Sequence, residues 1–255
     1  MLSFKKLALS LLLSVTAAAS CASQLDDLVE QGRQALYGQS MDQSYSRALE
    51  LYQLAAALGS AEAAHQIGHM YQHGLGVESD TPIAISWYEK AAKADFAQSQ
   101  FTLGQLYEIG DGLPRNLRKA LFWYRNAAKN GYDLAQLRLG FMYAQGMGTG
   151  ADFVQATYYA SLAYYQGNQL AAILLETLLP YLPELETKRE YSTLWSKPES
   201  NSRPVAQVYQ GSSVYLLEQI NPDWMVVYSP EARRVAYLNT RSFITQSVTA
   251  VGAVR

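Results

Sequence analysis

The stretch that decides the fold is Ala84-Ile85-Ser86-Trp87-Tyr88-Glu89-Lys90-Ala91-Ala92. It returns as Ala120-Leu121-Phe122-Trp123-Tyr124-Arg125-Asn126-Ala127-Ala128, and an earlier copy reads Ala48-Leu49-Glu50-Leu51-Tyr52-Gln53-Leu54-Ala55-Ala56. The leading alanines at 48, 84 and 120 set a step of 36 residues, and one more step reaches a worn copy, Ala156-Thr157-Tyr158-Tyr159. A constant step of this size marks a solenoid built from stacked supersecondary units. A second motif repeats behind the first: Leu103-Gly104, Tyr107, Gly110 and Gly112 are matched by Leu139-Gly140, Tyr143, Gly146 and Gly148, and by Ile67-Gly68, Tyr71, Gly74 and Gly76. Apolar positions recur at three- and four-residue intervals through both halves, which predicts two amphipathic helices per unit.

Punctuation supports that reading. Gly74, Gly110 and Gly146 stand where a second helix should end, because glycine takes the left-handed C-cap conformation at no steric cost. Asp80, Asn116 and Asp152 precede the next alanine by four residues and suit N-caps. Pro82 and Pro114 fall near helix starts, where proline is tolerated. A glycine inside a helix costs about 0.5–1 kcal/mol relative to alanine. Gly68, Gly104 and Gly140 therefore imply a compensating close approach, expected across each hairpin against Ala55-Ala56, Ala91-Ala92 and Ala127-Ala128. Trp87, Tyr88, Trp123 and Tyr124 are expected to fill the space between units.

With these residues in view, Ala-x-x-Trp-Tyr-x-x-Ala-Ala followed by Leu-Gly-x-x-Tyr-x-x-Gly-x-Gly resembles the Sel-1-like repeat, a helical-hairpin relative of the tetratricopeptide repeat. Departures are local: Asp95 replaces the glycine seen at 59, 131 and 167, and Leu175-Glu176 replaces Leu-Gly in the last unit, which reads as a terminal cap. The resemblance implies a protein-interaction scaffold without catalysis, and no cofactor. In such stacks the first helix of each pair lines the concave side. The positions that vary there are Glu50, Ser86, Phe122 and Tyr158, then Gln53, Glu89, Arg125 and Ser161. Glu50, Ser86, Glu89, Phe122, Arg125 and Tyr158 are the expected partner-binding residues. Aromatics and arginines dominate binding hot spots. The competing reading of Phe122 and Tyr158 is burial under the C-terminal domain.

Residues 1–20 read as a secretory signal, with Lys5 and Lys6, an apolar core Leu7–Val15 and the run Ala17-Ala18-Ala19. Cys21 is the sole cysteine, so no intramolecular disulfide forms. Ala18-Ala19-Ser20-Cys21 resembles a bacterial lipobox, which implies a lipid anchor on Cys21. The alternative is cleavage after Ala19 or Ala22, leaving a soluble periplasmic protein. By that resemblance, Ala22 and Ser23 after the cysteine favour the outer membrane of a Gram-negative cell. Residues 21–43 form an N-terminal cap: Gly32 and Gly38 lie one step before Gly68 and Gly74, so this segment is the second helix of an incomplete first unit.

Twenty basic and 22 acidic residues are close to balance, which argues against a nucleic-acid partner. The three histidines, His65, His69 and His73, are spaced four apart on one predicted helix, a spacing that can hold a metal. Mixed occupancy of the equivalent positions (Phe101, Gln105, Ile109) favours a half-buried surface instead. No Gly-x-Ser-x-Gly or phosphate loop is present.

The helical pattern of residues 44–182 stops at Pro180 and Pro183, and residues 183–189 read as a linker. Short runs rich in Val, Tyr and Trp follow: 191–195, 205–209, 213–217, 224–228 and 234–238. Their spacing predicts a small antiparallel barrel. Gly211-Ser212-Ser213-Val214 and Asp223-Trp224-Met225-Val226-Val227 resemble a bacterial Src-homology-3 domain over 190–245, with residues 246–255 as a tail. That resemblance implies peptidoglycan or a protein groove as a further partner, with Trp195, Tyr209, Trp224 and Tyr237 either as contacts or as core.

The expected fold is thus α+β and multidomain: an α-α solenoid followed by an antiparallel barrel. The expected protein is a non-catalytic, exported scaffold for envelope proteins, placed in the periplasm on an outer-membrane lipid anchor. A peptidoglycan hydrolase or its regulator is the alternative.

Overall fold

A computed structural model describes residues 23–38, 43–186, 191–197, 202–221 and 223–239. The expected signal segment, Cys21 and the tail after 245 lie outside these residues. The chain divides into two compact units, residues 1–115 and 116–255.

The first unit is helical. The sequence is helical through 23–37 (α1), then forms α2 (Tyr45–Ala57), α3 (Ala61–His73), α4 (Thr81–Lys93) and α5 (Ala97–Ile109). The caps fall where the sequence places them. Asp80 Oδ1 accepts from Ile83 N at 2.8 Å, and Ser44 and Ser60 cap α2 and α3 in the same way. Gly74 and Gly110 end α3 and α5 with φ of 67° and 88°. Asp95, where other units have glycine, adopts φ 58° itself and accepts a hydrogen bond from Gln100 Nε2 at 3.3 Å. A short polar side chain tolerates this conformation better than other residues do.

In this unit Tyr52 and Tyr88 are each sealed against a glycine of the preceding helix. Tyr52 and Tyr88 are each about 1% exposed. A Cβ on Gly32 would stand 2.7 Å from the Tyr52 ring, and one on Gly68 would stand 2.8 Å from the Tyr88 ring and 3.1 Å from the Ala84 carbonyl. The glycines therefore face the first helix of the following hairpin, not Ala55-Ala56 of their own as the sequence suggests. The ring needs the volume that the missing Cβ leaves. Gly32 in α1 does for Tyr52 what Gly68 does for Tyr88, so α1 acts as the second helix of an incomplete unit. Trp87 is only half-buried, packed on the edge of this core with Lys90 Nζ 4.8 Å above its ring.

The second unit continues the pattern with α6 (Leu117–Lys129), α7 (Asp133–Gln145), α8 (Phe153–Tyr165) and α9 (Leu170–Leu178). Asn116 and Asp152 cap α6 and α8. The last hairpin has lost its tyrosine, and Ala160 stands in its place. Leu174 of α9 supplies the missing volume: a Cβ on Gly140 would meet the Leu174 side chain at 2.8 Å and Ala160 Cβ at 3.5 Å.

After a 3-10 turn (Leu179–Tyr181) come β1 (Glu184–Glu186), β2 (Tyr191–Trp195), β3 (Pro204–Tyr209), β4 (Ser213–Asn221), β5 (Trp224–Ser229) and β6 (Arg234–Asn239). Among the described residues these make one antiparallel sheet in the order β1-β4-β5-β6-β2-β3. All five expected strands are present. Two expectations need correction. As paired, the sheet is open, with β1 and β3 as edges, and does not close into a barrel. The stretch read as a linker contributes β1, because Leu185 can pair opposite Val214 and add to the apolar cluster of Leu194, Val208, Val214, Val227 and Leu238. The sheet also packs on α8. Arg233 donates to the Tyr164 hydroxyl, and the Arg234 guanidinium lies 4.9 Å from the Tyr165 ring.

Candidate protein-binding surface

The first helices share one design. In α2, α4, α6 and α8 the leading alanine (48, 84, 120, 156) is fully buried, and the residue four later (Tyr52, Tyr88, Tyr124, Ala160) is 1% exposed or less. A helix that buries positions i and i+4 must turn the residue between them outward. Glu50, Ser86, Phe122 and Tyr158 occupy that position and all four are exposed. Three residues further on, Gln53 and Arg125 are exposed, Glu89 is half-buried and Ser161 is buried. Ser161 turns its hydroxyl back to the Tyr158 carbonyl at 2.7 Å.

The two units differ in what they display. In the first, Glu50, Gln53, Ser86 and Glu89 present a polar surface. In the second, Phe122 is 57% exposed and Tyr158 is 40% exposed. Phe122 meets Trp123 edge-on at 5.2 Å, and Tyr158 meets Tyr159 edge-on at 5.3 Å. Tyr159 stacks on Tyr143 at 5.7 Å, and Arg125 Nε donates to the Tyr143 hydroxyl at 2.8 Å. Arg125 is therefore both exposed and tied to the fold. Burial, with Tyr143 beside it, raises the Tyr159 phenol above its ordinary value, so the ring stays neutral. Arg125, Tyr143 and Tyr159 thus link α6 through α7 to α8 and hold the two exposed aromatics on a rigid base.

The histidine stripe does not open to one side. His65 is buried, with its Nδ1 2.8 Å from Ser99 Oγ and its ring between Tyr88 and Phe96. His69 and His73 lie 4.4 Å apart, ring to ring. Among the described residues no group of three or more His, Cys, Asp or Glu is placed to hold a metal ion. The candidate set fails because helix packing turns His65 inward. Burial and the nearby His69 lower the His65 pKa to about 4, so it is neutral in the fold. The unfolded chain takes up that proton near the ordinary value of about 6.5. The native state binds fewer protons between those values, so stability falls as pH drops from about 6.5 to 4. His65→Phe, the residue found at the equivalent position 101, should flatten the melting temperature over that range. An unchanged pH slope in the variant would contradict this account.

The sheet aromatics divide. Trp224 is buried, Tyr209 is exposed, and Trp195 and Tyr237 line a cleft of about 260 Å³ with Tyr165 and Arg234. No sequence signal separates core from surface among these four: β5 buries residues on both of its faces, whereas β3 buries only Val208.

Comparison with known proteins agrees with the geometry. The Sel1 repeat profile matches residues 35–60, 61–96, 97–132 and 133–168, more than half of the chain. A Sel1 repeat protein from Oxalobacter formigenes is similar in structure, with a TM-score of 0.57 and 28% identity over 61% of this chain and 63% of its own. A protective antigen of uropathogenic Escherichia coli strains that displays an SLR fold has a TM-score of 0.59 and 30% identity, over 62% of this chain and 34% of its own. A 37-residue stretch is 60% identical to part of the ERAD-associated E3 ubiquitin-protein ligase component HRD3 of Candida glabrata, covering 14% of this chain and 4% of that protein. The spacing, the tyrosine–glycine seals and the profile agree: this chain belongs to the Sel1 repeat family.

Proposed function

We propose that this protein is a non-catalytic adaptor that holds a partner protein on the outward stripes of its repeat helices, with the principal contact on α6 and α8. One observation carries the reading. The same helix position is exposed in all four first helices, and only in the second unit is it filled by large aromatics, Phe122 and Tyr158. Exposed aromatics cost solubility and contribute little to folding, whereas at an interface aromatic side chains are prominent among the residues that carry the binding energy. The double variant Phe122→Ser, Tyr158→Ser should lose the protein that co-purifies with the wild type while melting within a few degrees of it. A large drop in melting temperature would mean that these rings belong to the core.

The place of action we propose is the cell envelope, supported by the charged start, apolar core and lipobox-like Ala18-Ala19-Ser20-Cys21. Cys21→Ser should move the protein from the membrane to the soluble fraction; unchanged fractionation would remove the lipid anchor. We also read the sheet as Src-homology-3-like, on the spacing of its five longer strands and the Asp223-Trp224 turn. An experimental structure with another strand order would remove that reading.

A further inference from the structure

The adaptor reading leaves the chemistry of the partner open, and charge on the second unit narrows it. Helix α6 carries four basic residues, Arg118, Lys119, Arg125 and Lys129, and no acidic one. Arg118, Phe122, Arg125 and Lys129 are spaced at i, i+4, i+7 and i+11, so they lie on one face, and all four are exposed. Helix α8 carries no charge at all, and its exposed stripe is Tyr158 and Tyr165. Residues 116–168 hold five basic and two acidic residues within a chain whose formal net charge is −2. The equivalent positions of the first unit are Ser46, Glu50, Gln53 and Ala57 in α2 and Pro82, Ser86, Glu89 and Lys93 in α4, where Lys93 is the one cation among them. The cationic face is thus a local feature of α6, set against the overall charge of the protein.

The base of this face is fixed. Arg125 donates to Tyr143, Tyr143 stacks on Tyr159, and Phe122 and Tyr158 project beside this chain of contacts. A preorganised surface of this kind gives up little conformational entropy on binding. Its cations supply electrostatic selection and its rings supply desolvated area.

Resting on the adaptor reading, we propose that the α6–α8 face binds an acidic polypeptide segment that carries at least one aromatic or large aliphatic side chain. The carboxylates face Arg118 and Lys129, and the apolar side chain lies on Phe122 and Tyr158. The face selects against cationic and uncharged segments.

The test is selection of a random-peptide display library on the full mature chain, followed by fluorescence anisotropy of the selected peptides as synthetic probes. Three competitors are used: an oligothymidine, vesicles of anionic phospholipid, and each peptide with Asp and Glu replaced by Asn and Gln. The expected winners are net negative with an aromatic or aliphatic residue. Their affinity should fall about tenfold or more in Arg118→Glu, Lys129→Glu and in Phe122→Ser, and should weaken as salt rises through the range that screens exposed charges. Unfolding curves of these variants should overlay the wild type, because the substituted side chains are exposed. Neutral or basic winners, or winners insensitive to these variants, overturn the acidic-segment proposal while leaving the adaptor reading intact. Winners lost instead in Glu50→Lys, Glu89→Lys do the same and move the site to the first unit. A library that yields no binder overturns both. Equal or tighter binding of the oligothymidine or the vesicles replaces a protein partner with a polyanion.

Discussion

Replacing Tyr88 with alanine is expected to remove about 3–5 kcal/mol of stability, the range for deleting a fully buried aromatic. The ring is about 1% exposed and sits against the backbone of Gly68. On one side the ring meets the rigid Gly68 main chain and on another the buried His65 ring, so its loss leaves a cavity at the hairpin interface. The hydroxyl adds a smaller share: Tyr88 Oη donates to Gln72 Oε1 at 2.8 Å. Tyr88→Phe should therefore cost only about 1 kcal/mol. Denaturant unfolding followed by circular dichroism separates the two. Equal small losses in both variants would mean that the ring is not the keystone of its interface.

Gly148→Ala is expected to cost about as much, for a different reason. Gly148 has φ 74°, and a Cβ there would stand 2.6 Å from the Leu117 carbonyl oxygen and 2.7 Å from its carbon. The first term is the left-handed conformation, about 1–2 kcal/mol for a residue with a Cβ. The second is overpacking, about 1–3 kcal/mol, and the obstructing atoms are backbone at the start of α6. Gly76 and Gly112 make the same return, against Tyr45 and Thr81 at the starts of α2 and α4. The second glycine of each Gly-x-Gly thus closes its own hairpin. Gly167→Ala has the same backbone cost, with φ 97°, but no atom within 4 Å of the new Cβ. It should be the milder substitution, and a larger loss there than at Gly148 would contradict the role given to close approach.

Much of this fold is legible in the sequence because it is local. The step of 36, the caps at Asp80, Asn116 and Asp152, and the glycine stops at 74, 110 and 146 each depend on a few neighbouring residues. What could not be read depends on which helix lies against which. The sequence shows small residues at Ala55-Ala56 and at Gly68 but not that Gly68 faces Tyr88 of the next hairpin. It shows Ala160 as a gap in the motif but not that Leu174 fills it. It spaces three histidines along one helix, yet Ser99 of another helix draws His65 inward. In the sheet, period-two alternation does not sort Trp224 from Tyr209, because β5 buries residues on both of its faces while β3 buries only Val208.

The candidate surface was legible to the same extent. Glu50, Ser86, Phe122 and Tyr158 are exposed because alanine and tyrosine four apart bury the adjoining face. Arg125 was readable as a surface cation and not as a donor to Tyr143, since that contact joins residues 18 apart. Ser161 was expected outward and is buried, because the sheet covers the end of α8.

The central claim is that Phe122 marks the place where another polypeptide docks. It is tested most directly by placing a photo-crosslinking phenylalanine analogue at 122, and separately at 86 and 209, in the cell that makes the protein. The account predicts a discrete crosslinked protein from position 122 that is absent from position 86. Crosslinks from 209 alone, or the same yield at 86 as at 122, would contradict it.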